Sequence, residues 1–197
     1  VGLQAAKVDT LQVKSPSMNK SIEVVVVSPD VAATKACPVI YLLHGYGGNA
    51  RTWVGIKPDL PKIADEKGIF FVCPDGKNTW YWDSPLNADV RYETFISNEL
   101  VKYVDSHYKT VADRKGRAIT GLSMGGHGAM WNGLRHSDVF SAAGSTSGGV
   151  DIRPFPKQGI DHDFITRPGN HDSQYWNNSI DYQILFFWKH FLKMKAL

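Results

Sequence analysis

The sequence predicts an α/β fold with a mostly parallel, doubly wound sheet. Apolar segments of strand length alternate with segments of helical periodicity along most of its 197 residues. Residues 39–43 (VIYLL) are apolar at every position, which is typical of a parallel strand covered on both faces. Two strand-like segments near the start are separated only by a short polar turn, so the sheet is expected to open with an antiparallel pair.

The first half of the chain is predicted to form four strands and a helix. The strand-length runs lie at 8–13, 22–27, 39–43 and 69–73. The first two flank the turn at 15–19 (SPSMN), which explains their antiparallel pairing. Pro58 and Pro61 suit the first turn of a helix that runs to Lys67, between the third strand and the fourth.

The second half continues the alternation of strands and helices. An amphipathic helix is predicted over 93–107 because apolar residues recur there at helical spacing. These residues are Tyr92, Phe95, Ile96, Leu100, Tyr103 and Val104. Further strands are predicted at 117–120, 140–146 and 162–166. A long closing helix carries an apolar core stripe at Trp176, Ile180, Ile184, Phe187 and Phe191.

Composition and charge limit the kind of partner. The chain is 43% hydrophobic and 21% charged, which is expected of a single globular domain over residues 1–197. Its net charge is only +3, and its Lys and Arg residues are scattered, so neither nucleic acid nor an anionic membrane is an expected partner. No apolar run approaches the roughly 18 residues that span a bilayer. The sequence does not indicate an oligomeric state.

The start of the chain bears on its compartment, whereas its two cysteines do not. The sequence has neither an initiator Met nor an apolar leader, so we expect an exported protein, secreted or periplasmic, with a trimmed cytoplasmic chain as the alternative. Cys37 and Cys73 are predicted at opposite ends of neighbouring parallel strands, roughly 17–20 Å apart. Both are therefore expected to be buried free thiols. No clustered set of metal ligands such as H-E-x-x-H occurs, so neither a metal nor a cofactor is expected.

Residues 121–125 read GLSMG, a G-x-S-x-G pentapeptide between a predicted strand and a segment of small residues. This is the context of a nucleophile elbow, where a sharp strand-to-helix turn exposes a serine hydroxyl. Glycine on both sides lets the backbone turn so tightly. The pentapeptide therefore predicts a serine hydrolase with Ser123 as nucleophile, and its position makes the α/β-hydrolase fold the best candidate. A plain glycine-rich turn is the alternative.

A glycine-rich loop, residues 44–48 (HGYGG), directly follows the buried strand at 39–43. In a hydrolase of this fold, such a loop supplies one backbone N–H to the oxyanion hole. The second N–H comes from the residue after the nucleophile, which here is Met124. His44 lies at the end of the strand and is expected to order its loop rather than to act in catalysis.

Several short stretches together resemble the esterase D-like α/β-hydrolases. These stretches are 43–48 (LHGYGG), 73–76 (CPDG), 80–85 (WYWDSP), 121–126 (GLSMGG) and 169–172 (GNHD). The group includes feruloyl and acetyl-xylan esterases, tributyrin esterases and S-formylglutathione hydrolases. The resemblance covers almost the whole chain, from about Val8 to Leu192. It implies an ester hydrolase without a cofactor, whose oxyanion is held by the N–H groups of Tyr46 and Met124.

The resemblance also identifies the general base, because the family carries a histidine between the last strand and the last helix and His171 occupies that place. The chain itself supports this assignment. Among seven histidines, only His171 lies in a glycine-containing loop at the C-terminal end of a late strand, where ligand-facing loops gather. His127, on the helix after the elbow, is a candidate substrate contact.

The acidic member of the triad has no obvious counterpart. Chain order in this fold is Ser, then Asp or Glu, then His, but only 48 positions separate Ser123 from His171. The helix, strand and acid loop that the family carries near residues 157–158 are therefore expected to be missing from the chain. Three explanations are open. The sequence is a fragment that omits this segment, the protein is a natural or engineered deletion, or another carboxylate replaces the missing acid. Asp151 is the best internal substitute, because it follows the strand predicted at 140–146, after which some α/β-hydrolases carry their acid. Asp172 adjoins His171 and normally could not fold back onto its ring.

Aromatic residues of the predicted loops indicate the substrate class. Trp82 and Tyr175 are the expected substrate contacts, beside His127, because aromatic walls suit a phenolic acyl group or a sugar ring. The leading hypothesis is hydrolysis of a feruloyl or acetyl ester, either a small molecule or a decoration on plant polysaccharide. The alternatives are a thioesterase of the S-formylglutathione type and a non-catalytic carbohydrate-binding module that lost its acid.

Overall fold

A mixed sheet forms the centre of the structure, a computed structural model that describes residues 6–149 and 168–197. Within these ranges the strands are β1 (Lys7–Ser15), β2 (Lys20–Ser28), β3 (Val39–Leu43), β4 (Phe70–Pro74), β5 (Arg117–Gly121) and β6 (Ala142–Ala143). Their order across the sheet is β1-β2-β4-β3-β5-β6. The last four in this order are parallel to one another, whereas β2 pairs antiparallel with both β1 and β4. The predicted antiparallel opening and parallel centre are confirmed.

Helices cover both faces of the sheet. They are α1 (Thr52–Ile56), α2 (Leu60–Lys67), α3 (Tyr92–Thr94), α4 (Val101–His107), α5 (Met124–Arg135) and α6 (Ser173–Lys193). A π-helical segment, Phe95–Leu100, joins α3 to α4, so the predicted helix over 93–107 is continuous. Short 3₁₀ turns lie at Asp30–Ala33 and Arg114–Gly116.

Alternating side chains of β2 divide the core into two layers. Val24 and Val26 pack with residues of the π-helical segment, α4 and α5, whereas Val25 and Val27 pack with residues of α1, α2 and α6. Successive side chains of a strand point to opposite faces, so one run of four valines contributes to both layers. This arrangement confirms the doubly wound sheet.

The strand predicted at 140–146 is shorter than expected. Ala142 and Ala143 form the strand itself, but pairing beside β5 continues in the same parallel register to Thr146, which bridges to Leu122 and donates its N–H to the carbonyl of Gly121 at 2.9 Å. The carbonyl of Thr146 accepts a hydrogen bond from the N–H of Ser123 at 2.9 Å. The pairing beside β5 therefore extends into the turn that carries Ser123, although the strand itself has only two residues. The strand predicted at 162–166 and the missing segment predicted near 157–158 lie outside the described residues.

The remaining sequence expectations concern thiols, membranes and metals. Cys37 and Cys73 are both buried and free, as predicted, and burial raises the pKa of each thiol. Among the described helices, none is both long and apolar enough to cross a membrane. The described ranges also contain no group of three or more His, Cys, Asp or Glu side chains that could hold a metal ion.

Candidate active site

The turn between β5 and α5 holds Ser123 in a strained conformation. Its φ of 52° and ψ of −119° lie in a region that L-residues rarely adopt. The flanking glycines make the turn possible: a Cβ on Gly121 would lie 2.4 Å from backbone atoms of Gly125, and one on Gly125 would lie 2.2 Å from the carbonyl oxygen of Leu43. Neither position has room for a side chain. The partly exposed serine thus sits between the end of a buried strand and the start of a 12-residue helix.

A histidine side chain meets the hydroxyl of Ser123. The Nε2 atom of His171 lies 3.0 Å from Oγ of Ser123, within hydrogen-bonding distance. His171 is in the loop before α6, and the Trp176 ring packs edge-on against the imidazole at a centroid distance of 5.0 Å. Asp172 caps the helix, since its Oδ1 accepts a hydrogen bond from the N–H of Tyr175 at 2.9 Å. The structure therefore brings together the two predicted catalytic residues across 48 positions of sequence.

The third member of a triad is not found in the parts of the chain that the structure describes. Within residues 6–149 and 168–197, no carboxylate contacts the imidazole of His171. The carboxylate of Asp172 caps α6 instead. Asp151, the predicted substitute, lies outside these ranges.

Two backbone N–H groups near Ser123 lack a partner among the described residues. They belong to Tyr46, in the loop after β3, and to Met124, the first residue of α5. This loop approaches Ser123 closely, because a Cβ on Gly45 would lie 3.4 Å from Cβ of Ser123. The N–H of Gly47 donates to Oδ1 of Asn78 at 2.7 Å, which fixes the loop from its outer side. Unpaired donors of this kind, together with the positive end of α5, favour a negatively charged oxygen.

His44 is buried beneath this loop and connects it to the loop after β4. Its Nδ1 lies 2.7 Å from the carbonyl oxygen of Gly45, and the N–H of Gly76 donates to Nε2 at 2.9 Å. The carboxylate of Asp75 lies 3.4 Å from the same Nε2. Burial raises the pKa of Asp75, but its contacts with His44 and Lys77 outweigh burial and hold that pKa well below its usual range. These contacts order the loops on either side of Ser123.

The predicted substrate contacts occupy different surroundings. The His127 ring, on the first turn of α5, packs edge-on against Trp80 at 5.4 Å and is stacked with Trp131 at 6.3 Å. The Trp82 side chain is 45% exposed, and its backbone carbonyl accepts a hydrogen bond from Tyr92. None of the contacts described for Trp82 reaches Ser123 or His171.

Tyr175 lies beside the loop that carries His171 rather than on its ring. It packs over Gly169, where a Cβ would lie 2.1 Å from the tyrosine ring. Trp176 contacts His171 instead. The sequence predicts Trp176 either in the core stripe of the closing helix or beside the site, and it contains no signal for Asn78, whose role depends on the path of its loop.

Comparisons with known proteins show what the chain is similar to. The family model Esterase matches residues 15–181. Esterase Rv1288 of Mycobacterium tuberculosis is 30% identical over 149 residues, which cover 72% of this chain and 32% of that protein. The acetyl esterase of Caldicellulosiruptor saccharolyticus is 32% identical over 102 residues, 51% of this chain and 37% of that protein. The chain thus spans about a third of the length of these curated relatives.

Solved structures agree over nearly the whole chain. A ferulic acid esterase superposes with a TM-score of 0.80 at 25% identity, covering 95% of this chain and 99% of that one. An S-formylglutathione hydrolase of Staphylococcus aureus superposes with a TM-score of 0.78 at 18% identity, covering 94% and 100%, and shares the fold. The α/β-hydrolase fold predicted from the elbow is therefore confirmed, and the chain belongs to the esterase family.

Proposed function

We propose that this protein hydrolyses carboxylic esters through an acyl intermediate on Ser123. The observation that carries the proposal is the distance of 3.0 Å between Oγ of Ser123 and Nε2 of His171, at a strained strand-to-helix turn. A serine hydroxyl is a weak nucleophile unless an adjacent base can take its proton. His171 is the base at hydrogen-bonding distance, and esterase family membership supplies the reaction class.

The reaction proceeds in two acyl-transfer steps. Nε2 of His171 takes the proton of Ser123 as Oγ attacks the ester carbonyl carbon, and the resulting oxyanion accepts hydrogen bonds from the N–H groups of Tyr46 and Met124. The C–O bond to the alcohol then breaks, and the protonated His171 gives its proton to the leaving oxygen. In the second step His171 deprotonates a water molecule, which attacks the acyl carbon. The bond between that carbon and Oγ then breaks, the protonated His171 returns its proton to Oγ, and the acid is released.

The acyl half of the substrate is proposed to lie against three aromatic side chains. Trp80, His127 and Trp131 form what we call the aromatic patch, which starts one helical turn from Ser123. Aromatic rings favour offset or edge-on contact with another ring, so the patch suits a phenolic acyl group. A feruloyl or acetyl ester, as a small molecule or on plant polysaccharide, is the proposed substrate, with Trp82 and Tyr175 as further contacts. Secretion or export to a periplasm remains a prediction.

Covalent labelling tests the proposed nucleophile. The purified protein is measured by intact mass before and after a fluorophosphonate probe, together with turnover of p-nitrophenyl acetate. The expected result is a parent mass near 21.9 kDa that gains one probe, with labelling and turnover lost in Ser123→Ala. Absence of labelling in a folded protein of that mass would contradict the esterase proposal and favour a carbohydrate-binding module.

The same experiment bears on the triad acid. A parent mass clearly above 21.9 kDa would show that the natural protein carries the acid segment expected near residues 157–158. If the mass agrees, Asp151→Asn should lower kcat by up to about 10⁴-fold, because a histidine without its acid loses the correct tautomer. Unchanged turnover in that variant would exclude Asp151.

A substrate panel separates ester from thioester hydrolysis. Methyl ferulate, p-nitrophenyl acetate and S-formylglutathione are compared by kcat/KM. We expect the oxygen esters to be preferred, with methyl ferulate losing most in Trp80→Ala because that ring belongs to the aromatic patch. A clear preference for S-formylglutathione would replace the proposed substrate class with a thioester.

A further inference from the structure

A polar groove of about 700 Å³ lies between α1 and the first turns of α6. Its volume is within the range of about 300–1,000 Å³ that is usual for ligand sites. One wall directly follows the loop at 44–48, and the other begins two residues after His171, so the groove starts beside the candidate active site. Polar side chains line it: Asn49, Arg51 and Thr52 on one wall, and Gln174, Asn177 and Asn178 on the other. We call this feature the amide groove.

The lining of the amide groove selects the chemistry of its ligand. Each carboxamide offers both donors and acceptors, which matches a sugar hydroxyl that donates and accepts at once. Ile56 is the one apolar side chain of the lining, so a fatty or aromatic acyl group would leave the amides without partners. Arg51 is the one charged side chain of the lining, whereas sites that bind phosphate groups usually contain more than one cationic side chain.

The carboxamide side chains of the groove have hydrogen-bond donors and acceptors that the described residues do not use. Nδ2 of Asn177 donates to the carbonyl of Ile56, and Oδ1 of Asn49 accepts from the N–H of Arg51, so each carboxamide keeps its other end for a ligand. The side chains of Gln174 and Asn178 have no hydrogen-bond partner among the residues that the structure describes.

The amide groove and the aromatic patch lie on opposite sides of Ser123. The patch belongs to α5 and its neighbouring loop, on one face of the sheet, whereas α1 and α6 pack on the other face. An ester whose carbonyl carbon sits at Ser123 extends its acyl half and its alcohol half in different directions. We infer that the amide groove binds the alcohol half of the substrate, and that this half is a neutral polyhydroxy compound such as a sugar. The inference rests on the proposed esterase function.

A substitution that fills the groove tests this inference. Gly55 of α1 faces the groove, and a Cβ built on it meets no atom within 4 Å. Gly55→Trp therefore places an indole in the groove without a clash in the core. Gly55→Ala is the matched control, since it makes the same change to the helix backbone but leaves the groove open. The substrates are feruloyl arabinose and methyl ferulate, which share their acyl half and differ only in the alcohol.

The expected result is a loss of at least about tenfold in kcat/KM for the sugar ester in Gly55→Trp, because several hydrogen bonds to the sugar disappear. In Gly55→Trp, turnover of methyl ferulate should fall far less than that of the sugar ester, and Gly55→Ala should reduce turnover of the sugar ester far less than Gly55→Trp does. Equal effects of Gly55→Trp on the two esters, or no effect on either, would overturn the inference.

The experiment gives a different result if the proposed esterase function is wrong. If the unmodified protein turns over neither ester, the esterase proposal fails. The groove is then tested by isothermal titration calorimetry with xylotriose. Saturable binding that Gly55→Trp abolishes and Gly55→Ala keeps would retain the groove as a sugar site. Absence of binding, or equal binding to both variants, would exclude it.

Discussion

Oδ1 of Asp172 accepts a hydrogen bond from the N–H of Tyr175 at 2.9 Å, and this bond begins α6 immediately after His171. The carboxylate next to the proposed base therefore serves the helix and not the imidazole. An Asp at this position satisfies an N–H that the first turn leaves unpaired. The bond also fixes the place where the loop carrying His171 ends.

Replacement of Asp172 by Asn should leave turnover nearly unchanged. Asn caps a helix about as well as Asp, so kcat is expected to stay within about threefold and the free energy of unfolding within about 0.5 kcal/mol. Asp172→Ala, which removes the cap, should lower the free energy of unfolding by about 1 kcal/mol. Steady-state kinetics and urea unfolding measure both effects. A loss of about 10⁴-fold in kcat for Asp172→Asn would instead identify Asp172 as the triad acid.

The contact between Gly125 and β3 gives a second prediction. A Cβ on Gly125 would lie 2.2 Å from the carbonyl oxygen of Leu43, a backbone atom in a buried strand that cannot move away. Gly125→Ala should therefore lower the free energy of unfolding by about 3 kcal/mol or prevent folding. Gly55→Ala, in open space on α1, should raise it by about 0.5–1 kcal/mol. Urea unfolding compares the two, and equal stability of both variants would contradict the steric argument.

Local sequence patterns predict most of the fold, because hydrophobic spacing and turn residues determine the structure of single segments. β3 is apolar throughout and is buried throughout, and the two opening strands pair as their polar turn requires. The strand predicted at 140–146 is only two residues long, but its parallel pairing continues to Thr146. The N–H of Thr146 donates to the carbonyl of Gly121 and its carbonyl accepts from the N–H of Ser123, so this segment pairs with the chain as far as the turn after β5.

In the candidate site, likewise, some residues could be predicted from the local sequence, whereas others depend on contacts of the folded chain. Ser123 is marked by a motif and His171 by its place in the chain order, so both could be found from the sequence. The fixing of the loop after β3 by Asn78 could not, because it depends on positive φ angles at Lys77, Trp80 and Tyr81, which no sequence pattern announces. The contact of Trp176 with His171 depends on the rotation of α6.

The strained backbone of Ser123 predicts a separation of stability from activity. At its φ of 52°, a Cβ costs about 1–2 kcal/mol relative to glycine. Ser123→Gly should therefore be inactive yet more stable than Ser123→Ala by about 1 kcal/mol, although both lose the hydroxyl. Urea unfolding of the two variants measures the difference. If Ser123→Gly were the less stable, the strain would not exist in solution.

The hydrogen bond from Gly47 to Asn78 should affect kcat more than KM. Asn78→Ala frees the loop that carries the N–H of Tyr46, so the oxyanion is stabilised less and kcat should fall by about tenfold. Asn78→Asp keeps an acceptor oxygen and should restore most of the rate. Asn87→Ala removes a similar loop bond to Asp89 and is the control. A rise in KM alone would assign Asn78 to substrate binding.

Glu93 predicts an acid-sensitive link between α3 and α5. It is buried and accepts hydrogen bonds from Trp131 at 2.7 Å and Arg135 at 2.8 Å, with His136 also at 2.8 Å. Burial raises the pKa of Glu93, but these bonds outweigh it and lower the pKa below its usual value of 4.5. As the pH falls, Glu93 therefore binds a proton at a higher pH in the unfolded chain than in the folded protein. The stability that Glu93 contributes is therefore complete above about pH 4.5 and is lost as the pH falls through the folded pKa.

Glu93→Gln should remove this pH dependence. As the pH falls below about 4.5, the free energy of unfolding should decrease less steeply than in the unmodified protein, because the side chain no longer titrates. At neutral pH the variant should be less stable by about 1–3 kcal/mol, since its bonds to Arg135 and His136 lose their charge. Urea unfolding at several pH values measures both quantities, and Glu66→Gln, on an exposed helical pair, controls for the loss of one carboxylate. An unchanged acid slope in Glu93→Gln would show that another carboxylate governs acid unfolding.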